Sequence, residues 1–302
     1  MQYQKISIST FFSQINSEAK ARELLWKNKF EGEDFHCPSC SHDKYYQYQT
    51  RPEIRKCAQC KKQVRLRAQT IFEHSKIPLL VWVRTIFLMM SGKRGVSAQE
   101  IYRQLNLSSY RSAWSMLQKI RVALAQRDEF YKLKGMIEID STCFGKEKTG
   151  NQREVLIAVE SKKWVDEKGK EKKNAGFARV VIADETSLNV EKMIKNYIHP
   201  KSEIHSDGAK AYLHNKQEIK SMNTYNDHIL NEKWLPWVHR FISNAKTWIL
   251  GTHHGVTGHY LHNYIAEFSY RFNRRHDPKS LFSRAIYACS QAEPIRLGAL
   301  CG

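Results

Sequence analysis

The chain has 302 residues, 41 % hydrophobic and 11 % aromatic, with a formal net charge of +19 and a pI near 9.6. That composition can build a real core and excludes a disordered chain, leaves room for one large domain beside a small module or two, and calls for a polyanionic partner, nucleic acid or an anionic membrane surface. No run of about 18 apolar residues occurs, so a membrane span is not expected; the longest apolar stretch, Ile77 to Met90, is interrupted by Pro78 and Arg84. From the N-terminus, residues 8–30 read as one amphipathic helix through Phe11, Phe12, Ile15, Ala19, Leu24, Leu25 and Trp26. Residues 36–72 are short and turn-rich, framed by cysteine pairs. A helix follows Pro78 from Leu79 to Met90. Ser97 and Glu100 form a capping box for a helix ending near Leu105. Asn106-Leu107-Ser108 then turns into a second helix, capped by Ser108, with Ala113, Met116, Leu117, Ile120 and Leu124 on its apolar face.

From Met136 the pattern changes to strands, at 136–143, 154–160, 176–183 and 202–206, with a helix at 188–197 before the last. A charged hairpin tip, Lys162 to Lys170, joins the second and third. The chain then reads as irregular from Asp207 to about Trp234. A helix-like stretch starts near Ser243, and two helices, near 257–274 and 279–291, close the sequence.

Four motifs carry chemistry. Cys37-Pro38-Ser39-Cys40 and Cys57-Ala58-Gln59-Cys60 are matched knuckles separated by 16 residues. Two such knuckles supply four tetrahedral thiolates, a closed structural zinc site. His36 and His42 are left without a ligand role. Paired CxxC motifs also suit a reducing compartment. With no signal-peptide core at the N-terminus, a cytoplasmic, nucleoid-associated protein is expected. The helix-turn-helix at 97–125 is the second motif. Residues 51–120 hold fourteen Lys/Arg against three Asp/Glu. Such a unit places the start of its second helix in the major groove. Tyr110 and Arg111 would then meet bases or phosphates, and Lys119 and Arg121 the backbone; the plain alternative is a helical hairpin in a core.

The third motif is the pair Asp140 and Asp207, each following a strand-like run. Carboxylates at strand ends can hold two divalent ions for phosphoryl transfer, although Asp207-Gly208 is equally a turn dipeptide. The fourth, His239 to Lys246, sets polar His239, Asn244 and Lys246 among apolar neighbours. Asn244 offers a carboxamide oxygen to a metal, and Lys246 or His239 a contact to phosphate. Ser243 or Asn244 can also be read as a helix cap.

Together these residues resemble bacterial insertion-sequence transposases with an N-terminal zinc ribbon and a DDE-type catalytic domain. The resemblance covers nearly the whole chain. It rests on the zinc knuckles, Thr70 to Pro78, Leu107 to Arg121, Glu138-Ile139-Asp140-Ser141-Thr142-Cys143-Phe144-Gly145, Ser206-Asp207-Gly208, Tyr264-Ile265-Ala266-Glu267-Phe268 and Arg271-Phe272-Asn273-Arg274-Arg275. It implies a ribonuclease H-like α/β fold, Mg²⁺- or Mn²⁺-dependent cleavage and strand transfer, and recognition of terminal inverted repeats. Asp140 and Asp207 take the first two acidic places. Asn244, five residues after His239, takes the place where many relatives have Glu. Ser141-Thr142-Cys143 stands where Glu-Thr-Tyr is commoner.

The expected architecture is multidomain: an N-terminal helix (1–30), a zinc ribbon (31–75), a helix-turn-helix region (76–130) and a ribonuclease H-like catalytic domain (131–302). The expected function is a DNA transposase that binds double-stranded terminal repeats and target DNA and works as a homo-oligomer assembled on DNA. The alternatives are a zinc-ribbon and helix-turn-helix DNA-binding protein whose nuclease site has decayed, and a single-strand nuclease that never joins strands.

Overall fold

The computed structural model describes residues 7–32, 34–145, 150, 152–165, 169, 171–213, 217–222, 230 and 233–295. They divide into two compact units, Met1–Arg127 with His276–Gly302, and Asp128–Arg275.

In the first unit the expected N-terminal helix is two helices, α1 (Ile8–Gln14) and α2 (Glu18–Lys29). Ser17 is the reason. It takes an extended conformation and its hydroxyl accepts the Lys20 N–H, which ends one helix and caps the next. Strands β1 (Tyr45–Gln47), β2 (Ile54–Cys57) and β3 (Gln63–Arg65) form an antiparallel ribbon in the order β1-β2-β3. Helix α3 (Leu79–Ser91) is buried along most of its length. Pro78 precedes it as the cap residue, and the free N–H groups of Leu79 and Leu80 donate to the Glu18 carboxylate at 2.7 and 2.9 Å. No helix among the described residues is long and apolar enough to cross a membrane.

Helices α4 (Ala98–Gln104) and α5 (Tyr110–Asp128) follow. Ser97 caps α4 through the Glu100 N–H. Asn106 makes the turn in a left-handed conformation, φ 46°. Ser109, not Ser108, caps α5, accepting the Ser112 N–H at 3.2 Å.

The last helix, α9 (Leu281–Gln291), corrects the expected boundaries. It belongs to the first unit, against α2 and α3, rather than to a catalytic domain running to residue 302. Its buried stripe of Leu281, Phe282, Ala285, Ile286 and Cys289 explains this. Phe282 stands edge-on to a stacked pair, Phe11 and Phe87, whose ring centroids are 3.8 Å apart. The ribbon and the helices also share this one unit instead of forming separate domains.

The second unit is built on a five-stranded sheet, β4 (Met136–Phe144), β5 (Arg153–Val165), β6 (Glu171–Ile182), β7 (Glu203–Ser206) and β8 (Ile219–Ser221), in the order β6-β5-β4-β7-β8. β4, β5 and β6 are antiparallel; β7 runs parallel to β4, and β8 parallel to β7. β5 and β6 extend further into the charged hairpin than expected; residues 166–168 and 170 of that tip lie outside the described residues. β8 has three residues of which two are exposed, too few to leave a sequence pattern.

Helices cover both faces. Ile137, Ile139, Leu156 and Ala158 pack with α6 (Ser187–Tyr197) on one side. Val155, Ile157 and Val159 pack on the other with α7 (Pro236–His253) and α8 (Leu261–Asn273). Buried on both faces, β5 reads as a continuous apolar run. β4 differs. Its odd positions are Ile137 and Ile139, but its even positions are Glu138, Asp140 and Thr142, which by the period of two face the α7 side.

Candidate functional site

The two cysteine knuckles meet at one end of the ribbon. Cys37, Cys40, Cys57 and Cys60 bring all four sulfurs within 4.8 Å of one another, with Cys37–Cys60 and Cys40–Cys57 Sγ distances of 3.5 and 3.6 Å. Each knuckle closes on a left-handed residue directly after its second cysteine, Ser41 (φ 57°) and Lys61 (φ 62°). That conformation turns the chain back, so that the Ser41 N–H reaches the Cys37 carbonyl at 2.8 Å. Among the described residues this is the one group of three or more metal-ligating side chains gathered so closely.

The second cluster lies where β4 and β7 run side by side. Their register pairs Glu138 with His205, so Asp140 and Asp207, each two residues further on, come level with one another. Adjacent strands are about 4.8 Å apart. Asp140 is largely buried and Asp207 partly so. Burial, then the charges of Asp207 and Glu185, push the Asp140 carboxyl up to about 7, against the pull of the Ser141 N–H and the Lys246 ammonium. Asp207 also holds its own turn. Its Oδ1 accepts the Ala209 N–H at 3.1 Å, and Gly208 takes φ 84°; the turn reading holds, and the turn leaves Asp207 level with Asp140.

Helix α7 supplies the remaining groups. His239 Nε2 stands 3.4 Å from Asp140 Oδ2. Lys246 Nζ donates to Thr142 Oγ1 at 2.7 Å. His239 and Lys246 are seven residues apart, about two helical turns, and so share a face. Asn244 does not. Five residues from His239 is a rotation of about 500°, which leaves the two side chains about 140° apart, and Asn244 is exposed. Neither is it a cap, since α7 begins eight residues earlier at Pro236, with Leu235 as the cap residue. Counting along the chain put Asn244 at the third position; helical geometry brings His239 to Asp140 instead.

Two further carboxylates escaped the sequence reading. Glu185, just ahead of the α6 cap Thr186, accepts a 2.6 Å hydrogen bond from the Tyr212 hydroxyl. Burial raises its pKa, Asp207 adds to the rise, and the Tyr212 and Ser141 hydroxyls oppose it. An acidic residue before a helix cap is common, so nothing in the sequence marked it. Glu138 is fully buried, and its Oε2 accepts the N–H groups of Trp237 and Val238 at 2.7 and 3.0 Å. Burial pushes this carboxyl up to about 7 despite those two bonds. Two buried N–H groups left without an acceptor would cost about 1–3 kcal/mol each.

The expected DNA-contacting residues separate. Tyr110 and Arg111, in the first turn of α5, are exposed, Tyr110 by half its surface. Lys119 is half-buried, and burial lowers its pKa. Arg121 is a correction. It is 1 % exposed and lies in the core of its unit beside Leu117 and Ile120, so it is unavailable to a DNA backbone. α5 is buried on more than one stripe, and Gln118 is buried with Arg121.

Comparison with protein families now places the chain. Residues 132–273, nearly the whole second unit, match the ISXO2-like transposase domain, and residues 16–63 match the transposase zinc-ribbon domain. The chain belongs to the insertion-sequence transposases with an N-terminal zinc ribbon. No curated protein and no solved structure matches it. The transposase domain includes Asp140, Asp207, Glu185, His239 and Lys246; the zinc-ribbon match includes all four clustered cysteines. The transposase domain family is one of nucleic-acid-processing enzymes, and the four clustered cysteines of the ribbon suit a zinc ion.

Proposed function

We propose that this transposase binds the terminal inverted repeats of its element and cuts and joins DNA strands at the Asp140–Asp207 end of the sheet. The observation that carries the reading is the convergence of two carboxylates on adjacent parallel strands with His239 and Lys246 of one helix. Three antiparallel strands, a helix and a parallel fourth strand beside the first support a ribonuclease H-like fold. The donor set fits divalent cations. Asp140 faces the negative charges of Asp207 and Glu185, which with burial outweigh the pull of Lys246 and the Ser141 N–H, and a bound cation would relieve that repulsion. Asp140 and Asp207 would hold Mg²⁺ or Mn²⁺, with His239 as the neighbouring nitrogen donor and Glu185 as a further oxygen. Metal ions bound there would activate the attacking oxygen and stabilise the leaving one. Lys246, kept on this face by Thr142, is the cation for the scissile phosphate. Holding the groups in place does the rest of the catalytic work.

An imidazole ligand discriminates between metals, because nitrogen donors favour Mn²⁺ and later transition ions over Mg²⁺. Cleavage is expected to be faster with Mn²⁺ in the unsubstituted chain. His239→Asp should move the preference toward Mg²⁺, and His239→Ala should cost at least the ~10–100-fold typical of losing a metal's outer partner. Asn244→Ala should leave the metal-concentration curve in place. A curve that moves with Asn244 and not with His239 would return the third position to Asn244.

Recognition of double-stranded DNA rests on the basic first unit and its helix-turn-helix, with assembly into a homo-oligomer on the DNA and a nucleoid-associated location as part of the same reading. Binding should weaken by about 10³–10⁵ between 50 and 200 mM salt if six to ten phosphates are contacted. The full chain is the appropriate material, because a fragment of residues 1–130 would lack α9 and expose the faces of α2 and α3 that it covers. Arg111→Ala is expected to weaken binding more for terminal-repeat than for random DNA; equal losses would assign Arg111 to phosphate contact. Arg121→Ala should lower stability and leave the salt dependence unchanged.

A further inference from the structure

The start of α7 is held in an unusual way. Leu235, its cap residue, is fully buried and has no side-chain oxygen. Pro236, in the first turn, has no N–H. The next two N–H groups, on Trp237 and Val238, both point to one oxygen of Glu138, at 2.7 and 3.0 Å. Glu138 lies on the central strand, and its side chain is fully buried. The carboxylate therefore stands where a capping side chain normally would, and it comes from β4 instead of from the helix. A negative group at a helix N-terminus is also favoured by the helix dipole.

The position of this contact gives it a consequence for the reaction. His239 is the residue directly after Val238. Asp140 is two residues after Glu138, on the same face of β4. Thr142, two further on, takes the Lys246 ammonium. The strand thus holds the helix at three successive even positions. The first sits in the interior, and the other two are at the site.

We propose that Glu138 is a positioning residue for strand cleavage. By gripping the Trp237 and Val238 amides it sets the axial position and rotation of α7, and so carries His239 to Asp140 and Lys246 to the phosphate side of the site. This inference rests on the functional reading above. Glu138 itself touches neither metal nor DNA. Its effect is exerted wholly through α7.

The test uses the full zinc-loaded chain with Glu138→Gln, which keeps an accepting oxygen, and Glu138→Leu, which removes it. Single-turnover cleavage at saturating Mn²⁺ and amide hydrogen exchange along 237–241 are read together. The Leu variant is expected to cleave about 100-fold more slowly, the penalty of an ångström-scale misplacement. Its DNA affinity should be unchanged, and protection at Trp237 and Val238 should be lost. The Gln variant should recover most of both. Glu138→Asp keeps the charge but withdraws it by one carbon, and should cleave more slowly than Glu138→Gln. That ordering tests the inference even if the Leu variant does not fold. The inference is overturned if Glu138→Leu cleaves normally, if Glu138→Asp outperforms Glu138→Gln, or if amide protection at 237–238 survives in Glu138→Leu, where no accepting oxygen remains. The last result stands apart from activity: an unsubstituted chain that never cleaves would defeat the functional reading, while the exchange data would still judge Glu138.

Discussion

Replacing Asp140 or Asp207 with asparagine is expected to slow DNA cleavage by about three orders of magnitude, roughly 4 kcal/mol of transition-state stabilisation. Affinity for terminal-repeat DNA should not change. The amide is nearly isosteric with the carboxylate, so packing survives, and Asp207→Asn keeps the side-chain oxygen that accepts the Ala209 N–H. What is lost is charge. Both side chains lie in the second unit, and Tyr110 and Arg111, the expected DNA contacts, lie in the first. Gel-shift and cleavage assays on the same preparations separate the two effects. Near-normal cleavage by both variants would remove these aspartates from the chemistry. Loss of DNA affinity in step with cleavage would mean that they act in substrate binding.

The next largest effect is expected at the ribbon. Metal analysis should find close to one zinc per chain, and Cys57→Ser should abolish it. Structural zinc in comparable small modules is worth about 10–16 kcal/mol of binding free energy that is also folding free energy. Cys57 ends β2 and is fully buried, so losing its thiolate should release the amides of β2 and β3 before those of α3. Hydrogen exchange with and without a chelator measures this directly. A zinc-free chain with a fully protected ribbon would show that its three short strands stand without metal.

The zinc knuckles were legible because their chemistry is local. Four thiols in two CxxC pairs converge whatever the rest of the chain does. The strands 136–144 and 203–206 were also legible, from short apolar runs ending near acids. The long helix α7 was missed as a unit. Its polar residues His239, Arg240, Ser243 and Lys246 interrupt the apolar stripe, and its start is capped from another strand instead of by a neighbouring Ser or Asp. With the start of the helix misplaced, Asn244 read as a helix beginning; its reading as a third ligand came from counting five residues on from His239. The seven-residue interval from His239 to Lys246 was present in the sequence. It carries meaning only once both residues are known to lie on one helix. The alternation of Glu138, Asp140 and Thr142 with Ile137 and Ile139 was equally visible, but not which face α7 would cover. Arg121 was misread because basic residues are expected outside; only the packing on several sides of α5 takes it inside. The return of α9 to the first unit is a long-range choice between two apolar surfaces, and its own stripe of Leu281, Phe282 and Ile286 fits either.

The central claim is that one site both cuts and joins DNA. Incubating the full chain with labelled terminal-repeat DNA, a plasmid target and Mn²⁺ tests it most directly. The account predicts breaks at the repeat end that leave a 3′-hydroxyl, followed by covalent joining of that end to the plasmid, with both products absent when Asp140 is asparagine. Cleavage without any joined product, or products that persist in Asp140→Asn, would contradict it.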